Sequence, residues 1–266
     1  MAAYPSSVGK RLEGGNMNAV EREGDTVLRN AGPWTPTVHA LLTHLRAAGI
    51  DGVPQPLGID TTANPPREQL TYIDGHVPLH PLPEWVWHDN VLSDGASWLR
   101  RMHNASATFP RDGQTWQQPV REPAEVICHN DFAPHNLGFD ADHRLIGVID
   151  WDMCSPGPRI RDLAYFATRA VPLMAEPPAG APSGDQVRPR IQRIIDAYGS
   201  DASVDEVLKQ AVAGLRELAA YSRKAADRLH KPELREHAAL YDRDAAAIES
   251  GDIGSSERRS ATDAQR

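Results

Sequence analysis

The feature that most constrains this chain is a pair of polar clusters placed beside short apolar runs. Residues 129–136 read HNDFAPHN and follow the apolar run VIC, and residues 149–152 read IDWD at the end of the apolar run LIGV. Short apolar runs bounded by turn residues are typical of buried strands. LGF at 137–139 and LIGVID at 145–150 flank DADHR and predict a hairpin, which would bring Asn136 close to Asp150.

These clusters contain the oxygen donors of a hard metal site. The amide of Asn136 and the carboxylate of Asp150 are ligands that Mg²⁺ favours, and Mg²⁺ keeps water and phosphate oxygens at its other positions. Asp131 opens the loop and offers a further carboxylate, free of metal, that can accept a hydroxyl proton. A metal on phosphates and a positioned nucleophile are the parts that phosphoryl transfer to an alcohol requires.

Composition excludes several classes of protein. The chain has 266 residues, enough for one large domain or two small ones, and its net charge of −8 disfavours a nucleic-acid partner. No apolar run approaches the ~18 residues of a membrane span, and the N-terminus lacks the apolar segment of a secretory signal. Two cysteines outside any CxxC pair indicate free thiols. We expect a cytoplasmic protein that binds neither membrane nor nucleic acid, and composition leaves its oligomeric state open.

The N-terminal third predicts a small β-rich lobe that contains one helix. Residues 11–30 indicate strands joined by a Gly-rich turn and a tight EGD turn. An apolar stripe at helical spacing follows, with Thr35 as the expected N-cap, Pro36 at the first helical position and Gly49 at the end. QLTYIDG at 69–75 indicates a strand that runs into a linker.

Helical patterns dominate the rest of the chain. They occupy residues 89–105, the segment that starts RDLAYFATRAV at 161, and most of 186–249. We therefore predict an α+β protein with two lobes and a polar tail. The expected bounds are 1–75 for the β-rich lobe, 76–249 for the helical lobe, and 250–266 for a flexible tail.

The motifs also resemble those of a known superfamily. HNDFAPHN fits H-x-D-x-x-x-x-N, the catalytic loop of protein-kinase-like enzymes. With Asn130 in place of the protein-kinase Arg, IDWD in place of DFG and RDLAY after it, the chain resembles the aminoglycoside phosphotransferases and their choline-kinase-like relatives. The resemblance covers about residues 11–170, and LRRMHNAS at 99–106 is similar as well. It implies a two-lobed protein-kinase-like fold and Mg²⁺-dependent transfer from ATP or GTP to a small-molecule hydroxyl.

The resemblance also implies a role for individual residues. Asp131 would be the catalytic base or the carboxylate that orients the hydroxyl, and Asn136 and Asp150 would hold Mg²⁺. The residues that would support these three are His129 as a brace of the loop, Asp152 near the metal or its water, and Asp162 as a buried acid that hydrogen-bonds the catalytic loop.

The residues that the resemblance would place at the nucleotide depart from the family pattern. The turn at Gly14 and Gly15 would cover the phosphates with backbone amides. The third strand normally carries a phosphate-clamping Lys, and Arg29 is the nearest candidate. The following helix, residues 35–48, contains no acid to orient that cation, although His39 and His44 lie in the region. Either Arg29 clamps phosphate unaided or the nucleotide end is weakened.

Several alternatives stay open at this point. The missing Lys–Glu pair would also suit a non-catalytic, kinase-like binding module. By family analogy the default acceptor is an aminoglycoside or another hydroxylated amine, and choline-like alcohols, amino sugars, homoserine-like compounds and other antibiotics stay open. A zinc site at Cys128, Cys154, His129 and His135 is disfavoured, because the spacing lacks a finger or ribbon pattern.

Overall fold

One antiparallel sheet forms the N-terminal part of the molecule. The computed structural model describes residues 10–11, 20–178, 180–182 and 184–253. The sheet has the strand order β1-β2-β3-β5-β4. Its strands are β1 Lys10–Arg11, β2 Glu21–Glu23, β3 Thr26–Asn30, β4 Pro56–Asp60 and β5 Arg67–Thr71. The pairing of β3 with β5 sets Arg29 directly opposite Glu68. Strand β4 was not predicted, because Pro and Gly interrupt its pattern.

Helix α1, Thr35–Ala47, packs its predicted apolar stripe into the core. The expected N-cap is wrong by one residue, since Trp34 occupies that position and Thr35 begins the helix. The Thr35 hydroxyl instead accepts a hydrogen bond from the N–H of Gly32, which closes the turn between β3 and α1. Gly49 follows the helix at φ +78°, as the sequence predicts.

The C-terminal part is mainly helical. Its helices are α2 Asp89–Ser106, α3 Arg159–Ala170, α4 Gly184–Tyr198, α5 Val204–Leu229 and α6 Glu233–Ser250. A capping box between Ser203 and Glu206 fixes the start of α5. The predicted α+β architecture with a small sheet lobe and a larger helical lobe is confirmed. Within the described ranges, no helix has the length and apolarity needed to cross a bilayer.

Two short strand pairs interrupt the helical lobe. The predicted hairpin forms from β7 Leu137–Phe139 and β8 Leu145–Val148, with Leu137 opposite Val148. The predicted buried strand β6 Val126–Cys128 pairs with β9 Ser155–Gly157. Strand β9 was not predicted, since SPG has neither an apolar run nor alternation.

A close backbone contact joins the hairpin to the sheet lobe. The carbonyl of Gly52, in the loop between α1 and β4, accepts a hydrogen bond from the N–H of Val148 at 2.8 Å. Gly52 has φ +79°, and a Cβ there would lie 2.4 Å from the carbonyl oxygen of Ile146. Only glycine fits both the left-handed backbone and the contact. This contact fixes the end of β8, from which Asp150 projects, against the sheet lobe.

Candidate active site

A buried carboxylate holds the start of the catalytic loop. Asp162 on α3 accepts hydrogen bonds from the backbone N–H groups of His129, at 2.6 Å, and Asn130, at 2.8 Å. His103 on α2 donates to the same carboxylate at 3.0 Å. Burial raises the pKa of Asp162, but the hydrogen bond and charge of His103 and the backbone donors outweigh it, so the pKa lies below its usual range. The loop therefore starts from a fixed backbone.

Asn130 occupies the place where protein kinases carry an Arg, and it ties the loop to its surroundings. Its amide nitrogen donates to the carbonyl of Met153 and the hydroxyl of Ser155, at 2.8 and 2.9 Å. Its amide oxygen accepts from Nε of Arg161 at 2.7 Å. The residue has φ +63°, a conformation that Asn tolerates better than most side chains. The side chain is therefore a structural crosslink.

His129 braces the loop from inside the core. Its Nε2 donates to the carbonyl of Ile149 at 3.1 Å, and its Nδ1 accepts from the N–H of Asp131. Burial lowers the pKa of His129 in spite of the neighbouring acids, so the ring is neutral at pH 7. The single N–H of the neutral ring is donated to a carbonyl and its lone-pair nitrogen accepts a backbone N–H, so both nitrogens are occupied in bracing the loop.

Asp131 lies at the centre of the site with both carboxylate oxygens engaged. Oδ1 accepts a hydrogen bond from the hydroxyl of Tyr165 at 2.5 Å, and Oδ2 accepts from the amide of Asn136 at 2.8 Å. Nε2 of His135 lies 3.5 Å from Oδ1. Burial raises the pKa of Asp131, but the donors His135 and Tyr165 together bring it below its usual value. The carboxylate is therefore ionised at neutral pH.

The hairpin brings Asn136 beside the chain that carries Asp150. The carbonyl of Asn136 accepts from the N–H of Ile149 at 2.9 Å. The amide nitrogen of Asn136 donates both to the carbonyl and to the carboxylate of Asp131, so the side chain can offer only its oxygen to a cation. Asp150 has φ +60°, and its side chain is half exposed. The structure thus brings these three predicted residues into one region.

Arg29 crosses from the sheet to the hairpin. On the sheet side, its Nε donates to Oε1 of Glu68 at 2.7 Å. On the hairpin side, its two terminal nitrogens donate to Asp150 at 3.1 Å and to Asp152 at 2.8 Å. Helix α1 supplies no acid, as predicted, but Arg29 is not unaided, because strand β5 supplies one. The sequence interpretation searched only the helix and missed Glu68.

Burial and neighbouring charges shift the pKa values of Arg29 and Asp152. Burial lowers the pKa of Arg29, but Asp152, Glu68 and Asp150 raise it further, and it ends above its usual value. Burial also raises the pKa of Asp152 to about 6, against the opposing effect of Arg29. Asp152 is therefore a partner of Arg29 in this structure.

The predicted phosphate cover at Gly14 and Gly15 lies outside the described residues.

A second cluster of potential metal ligands is a hydrogen-bonded part of the core. Donor atoms of His103, Cys128 and Asp162 lie within 4.8 Å of one another, and all three residues are buried. The carboxylate already accepts the three hydrogen bonds described above, and Sγ of Cys128 donates to the carbonyl of Pro158. Burial also raises the pKa of Cys128, which keeps it a thiol. Both cysteines are unpaired, as predicted.

A cavity of about 310 Å³ lies in the helical lobe, between the end of α3 with the segment after it and helix α6. Arg169 lines it, and the guanidinium carbon of Arg169 lies 5.4 Å from the ring centroid of Tyr165, whose hydroxyl bonds Asp131. Glu176 and Asp244 place carboxylates in the same cavity. Arg169 and Tyr165 therefore connect the lining of the cavity to the carboxylate of Asp131.

Two comparisons with known protein sequences match parts of this chain. Residues 88–188 match the phosphotransferase enzyme family, APH. The trifolitoxin immunity protein of Rhizobium leguminosarum bv. trifolii is 34% identical over 150 residues, which are 54% of this chain and 55% of that protein. The match thus spans about half the length of this curated relative.

Solved structures show the same fold over nearly the whole chain. A choline/ethanolamine kinase family protein from Mesorhizobium loti has a TM-score of 0.65 at 17% identity, covering 91% of this chain and 88% of that one. The amicoumacin kinase hAmiN, solved with AMP-PNP, Ca²⁺ and Ami, has a TM-score of 0.66 at 11% identity, covering 93% and 90%. The resemblance is confirmed: the chain has the protein-kinase-like fold, and its segment 88–188 carries the APH phosphotransferase match.

Some residues of the site were not found from the sequence. Tyr165 lies three positions after Asp162, close to one helical turn, and its contact with Asp131 depends on how α3 is rotated. Glu68 shares the buried face of β5 with Leu70, and a charge at an inward-facing strand position is the signal that identifies it. His103 on α2 is buried and lies between Tyr198 and Asp162, which depends on how α2 packs against α3 and α4.

Proposed function

We propose that the protein is a small-molecule kinase, which transfers the γ-phosphoryl group of ATP or GTP to a hydroxyl in the presence of Mg²⁺. The observation that carries this proposal is the setting of Asp131. Its carboxylate is ionised and held by Tyr165 and Asn136, beside the chain that carries Asp150. Arg29 faces this region from the sheet.

The chemistry assigned to Asp131 is simple. An acceptor hydroxyl would donate its hydrogen bond to the carboxylate, and the hydroxyl oxygen would attack the γ-phosphorus. The bond from that phosphorus to the bridging oxygen would break, the nucleoside diphosphate would leave, and the hydroxyl proton would pass to Asp131. Because the pKa of Asp131 is low, the carboxylate chiefly orients the hydroxyl and takes its proton only as the new bond forms.

The residues present suit a hard divalent cation. Asn136 offers only its oxygen, and Asp150 is a half-exposed carboxylate just after the same hairpin. We assign both as Mg²⁺ ligands, and Asp152 as a partner of Arg29. A divalent cation supplies positive charge to the nucleotide phosphates when bound.

The cavity beside Tyr165 is our candidate for the acceptor site. Glu176 and Asp244 give it carboxylates that suit an amine, and Arg169 gives it a cation close to Asp131. With Arg243 the lining holds two guanidinium groups and two carboxylates, which suits a polar acceptor that carries both amine and hydroxyl groups. One relative is named for immunity to trifolitoxin and one neighbour is an amicoumacin kinase, so hydroxylated antibiotics belong among the acceptors to be tested.

A transfer assay tests the proposal. Wild-type protein and an Asp131→Asn variant would be incubated with Mg²⁺, with ATP or GTP, and with aminated sugars, amino alcohols and antibiotics, and phosphorylated product would be measured by mass spectrometry. Product with the wild type alone supports the proposal. Equal product from both proteins would remove Asp131 from the reaction.

A non-catalytic binding module is the second candidate. It is favoured by one observation, that the guanidinium of Arg29 already pairs with Asp150, a proposed metal ligand. A ligand that binds only the native state must raise the melting temperature. Stabilisation by nucleotide that requires Mg²⁺ favours the kinase. Absence of any shift with ATP or GTP, together with no product in the transfer assay, would favour the binding module.

A further inference from the structure

Glu68 is a fully buried carboxylate in the middle of the sheet. It lies on β5 directly opposite Arg29 on β3, and its side chain has no exposed surface. Directly opposed residues of antiparallel strands point to the same face of the sheet, so this contact is fixed by the strand register. A buried carboxylate is strongly destabilising unless it is paired, so Glu68 and Arg29 form one unit.

Helix α1 reaches the same carboxylate through a histidine. Nε2 of His39 lies 2.8 Å from Oε2 of Glu68, while Oε1 of Glu68 accepts from Nε of Arg29. Each oxygen of the carboxylate therefore has its own partner on a different element. The three side chains link strand β5, strand β3 and helix α1 into one hydrogen-bonded row.

The hydrogen bond from Nε of Arg29 to Glu68 determines where the rest of the guanidinium points. A guanidinium is a rigid planar fork, so holding Nε at Glu68 directs the two terminal nitrogens away from the sheet. Those nitrogens contact Asp150 and Asp152 on the hairpin. Three carboxylates thus surround one guanidinium, which leaves an excess of negative charge that a divalent cation can offset.

We propose that Glu68 is the positioning residue of the nucleotide site, and that His39 fixes it. Glu68 would keep the fork of Arg29 aimed across the cleft, where it neutralises Asp150 and Asp152 in the empty protein and faces the phosphates when a metal–nucleotide complex is bound. Helix α1 then influences the site through a histidine and a strand acid, with no acid of its own. This inference rests on the proposed function, because it assumes that nucleotide binds at this cleft.

The first test compares Glu68→Gln with Glu21→Gln. Glu21 pairs with Arg67 on the same sheet, but both side chains of that pair are about one-third exposed, so its loss should change binding less than about twofold. Glu68→Gln removes the negative charge that holds Nε of Arg29, and the affinity for AMP-PNP with Mg²⁺, measured by calorimetry, should fall by about 10- to 100-fold. In the transfer assay, KM for nucleotide should rise more than kcat falls.

A rescue experiment separates positioning from structural support. Adding His39→Glu to Glu68→Gln places a carboxylate on helix α1 next to position 68, and we expect this charge to recover at least about fivefold of the lost affinity. A general packing role for Glu68 would not respond to an acid supplied from another element. Circular dichroism melting of each variant would show whether it is folded.

The outcomes are distinct. Wild-type binding of AMP-PNP with unchanged binding by Glu68→Gln would overturn the inference and leave the proposed function standing. A loss that His39→Glu fails to recover would also overturn it. If Glu68→Gln does not fold, nucleotide binding by His39→Ala tests the inference instead. The inference predicts roughly threefold to tenfold weaker binding by this variant. Unchanged binding would contradict it. Failure of the wild type to bind any nucleotide would overturn the proposed function, and this inference with it.

Discussion

The catalytic loop and the Arg29 cluster are two halves of one candidate site, but they are built differently. In the loop, Asp131 and Asn136 are five positions apart and touch each other directly. In the cluster, Arg29 and Glu68 are 39 positions apart and meet only because β3 pairs with β5. A sequence motif with fixed spacing identifies the Asp131–Asn136 arrangement. The Arg29–Glu68 pair is identified only when the pairing of β3 with β5 is known.

The largest effect should come from the loop. Asp131→Asn keeps the size of the side chain and removes its charge, so we expect kcat to fall by about 10²- to 10⁴-fold. Nucleotide binding in the presence of Mg²⁺ should stay nearly unchanged, because the cluster that faces the nucleotide is untouched. Single-turnover transfer and calorimetry measure the two quantities, and a large loss of nucleotide binding would show that the two halves cannot be separated.

The support beneath the loop should give the next largest effect. Asp162→Asn removes a buried charge that holds three donors, and we expect the free energy of unfolding to fall by about 3 kcal/mol at pH 7. Chemical denaturation would measure it. Asp205→Asn is the control, because Asp205 pairs with Arg188 at the surface, and it should change stability by less than about 1 kcal/mol.

The difference in free energy of unfolding between wild type and Asp162→Asn should depend on pH, because the pKa of Asp162 is lowered in the folded protein. Its pKa in the folded protein lies below the ordinary value, so its stabilisation is present above the unfolded-state pKa of about 3.9. The stabilisation is lost as the pH falls below that value. The gap between wild type and Asp162→Asn should therefore be full at pH 7 and shrink below about pH 4. A gap that grows in acid would contradict the assignment.

A smaller effect is expected on the nucleotide side. Arg29→Ala removes the cation shared by Glu68, Asp150 and Asp152, and affinity for the metal–nucleotide complex should fall by about 10- to 100-fold. Arg67→Ala is the matched control on the neighbouring strand, where the arginine is partly exposed and pairs with Glu21. Equal losses in both variants would mean that general charge, and not the cluster, determines nucleotide binding.

The smallest effect tests how the two halves are joined. Gly52 and Gly49 have nearly the same positive φ, but a Cβ at Gly52 meets the backbone of β8, and a Cβ at Gly49 meets nothing within 4 Å. Gly52→Ala should therefore lower the free energy of unfolding by about 1–3 kcal/mol more than Gly49→Ala. Thermal denaturation of the pair measures the difference, and equal losses would remove the contact from the account.

Sequence reasoning predicted what local pattern determines. The loop, the hairpin around residues 137–148 and the main helices follow from apolar runs and turn residues that are adjacent in the chain. The strands β4 and β9 were missed because proline and glycine hide their pattern. The N-cap of α1 shifted by one residue because Thr35 bonds back to Gly32 in the preceding turn.

The missed parts of the site depend on tertiary structure. Glu68 is identified only when β5 is registered against β3, and Tyr165 only when α3 is docked beside the loop. No spacing between two residues in the sequence carries that information. The inward-facing charge on β5 is the one local signal that indicates an ion pair in the core.

A crystal structure with AMP-PNP and Mn²⁺ tests the central claim most directly, because the anomalous signal of Mn²⁺ locates the cation. The account predicts one cation roughly 2.0–2.2 Å from the amide oxygen of Asn136 and from a carboxylate oxygen of Asp150, in contact with the nucleotide phosphates. A nucleotide-bound cation that touches neither residue would contradict the account.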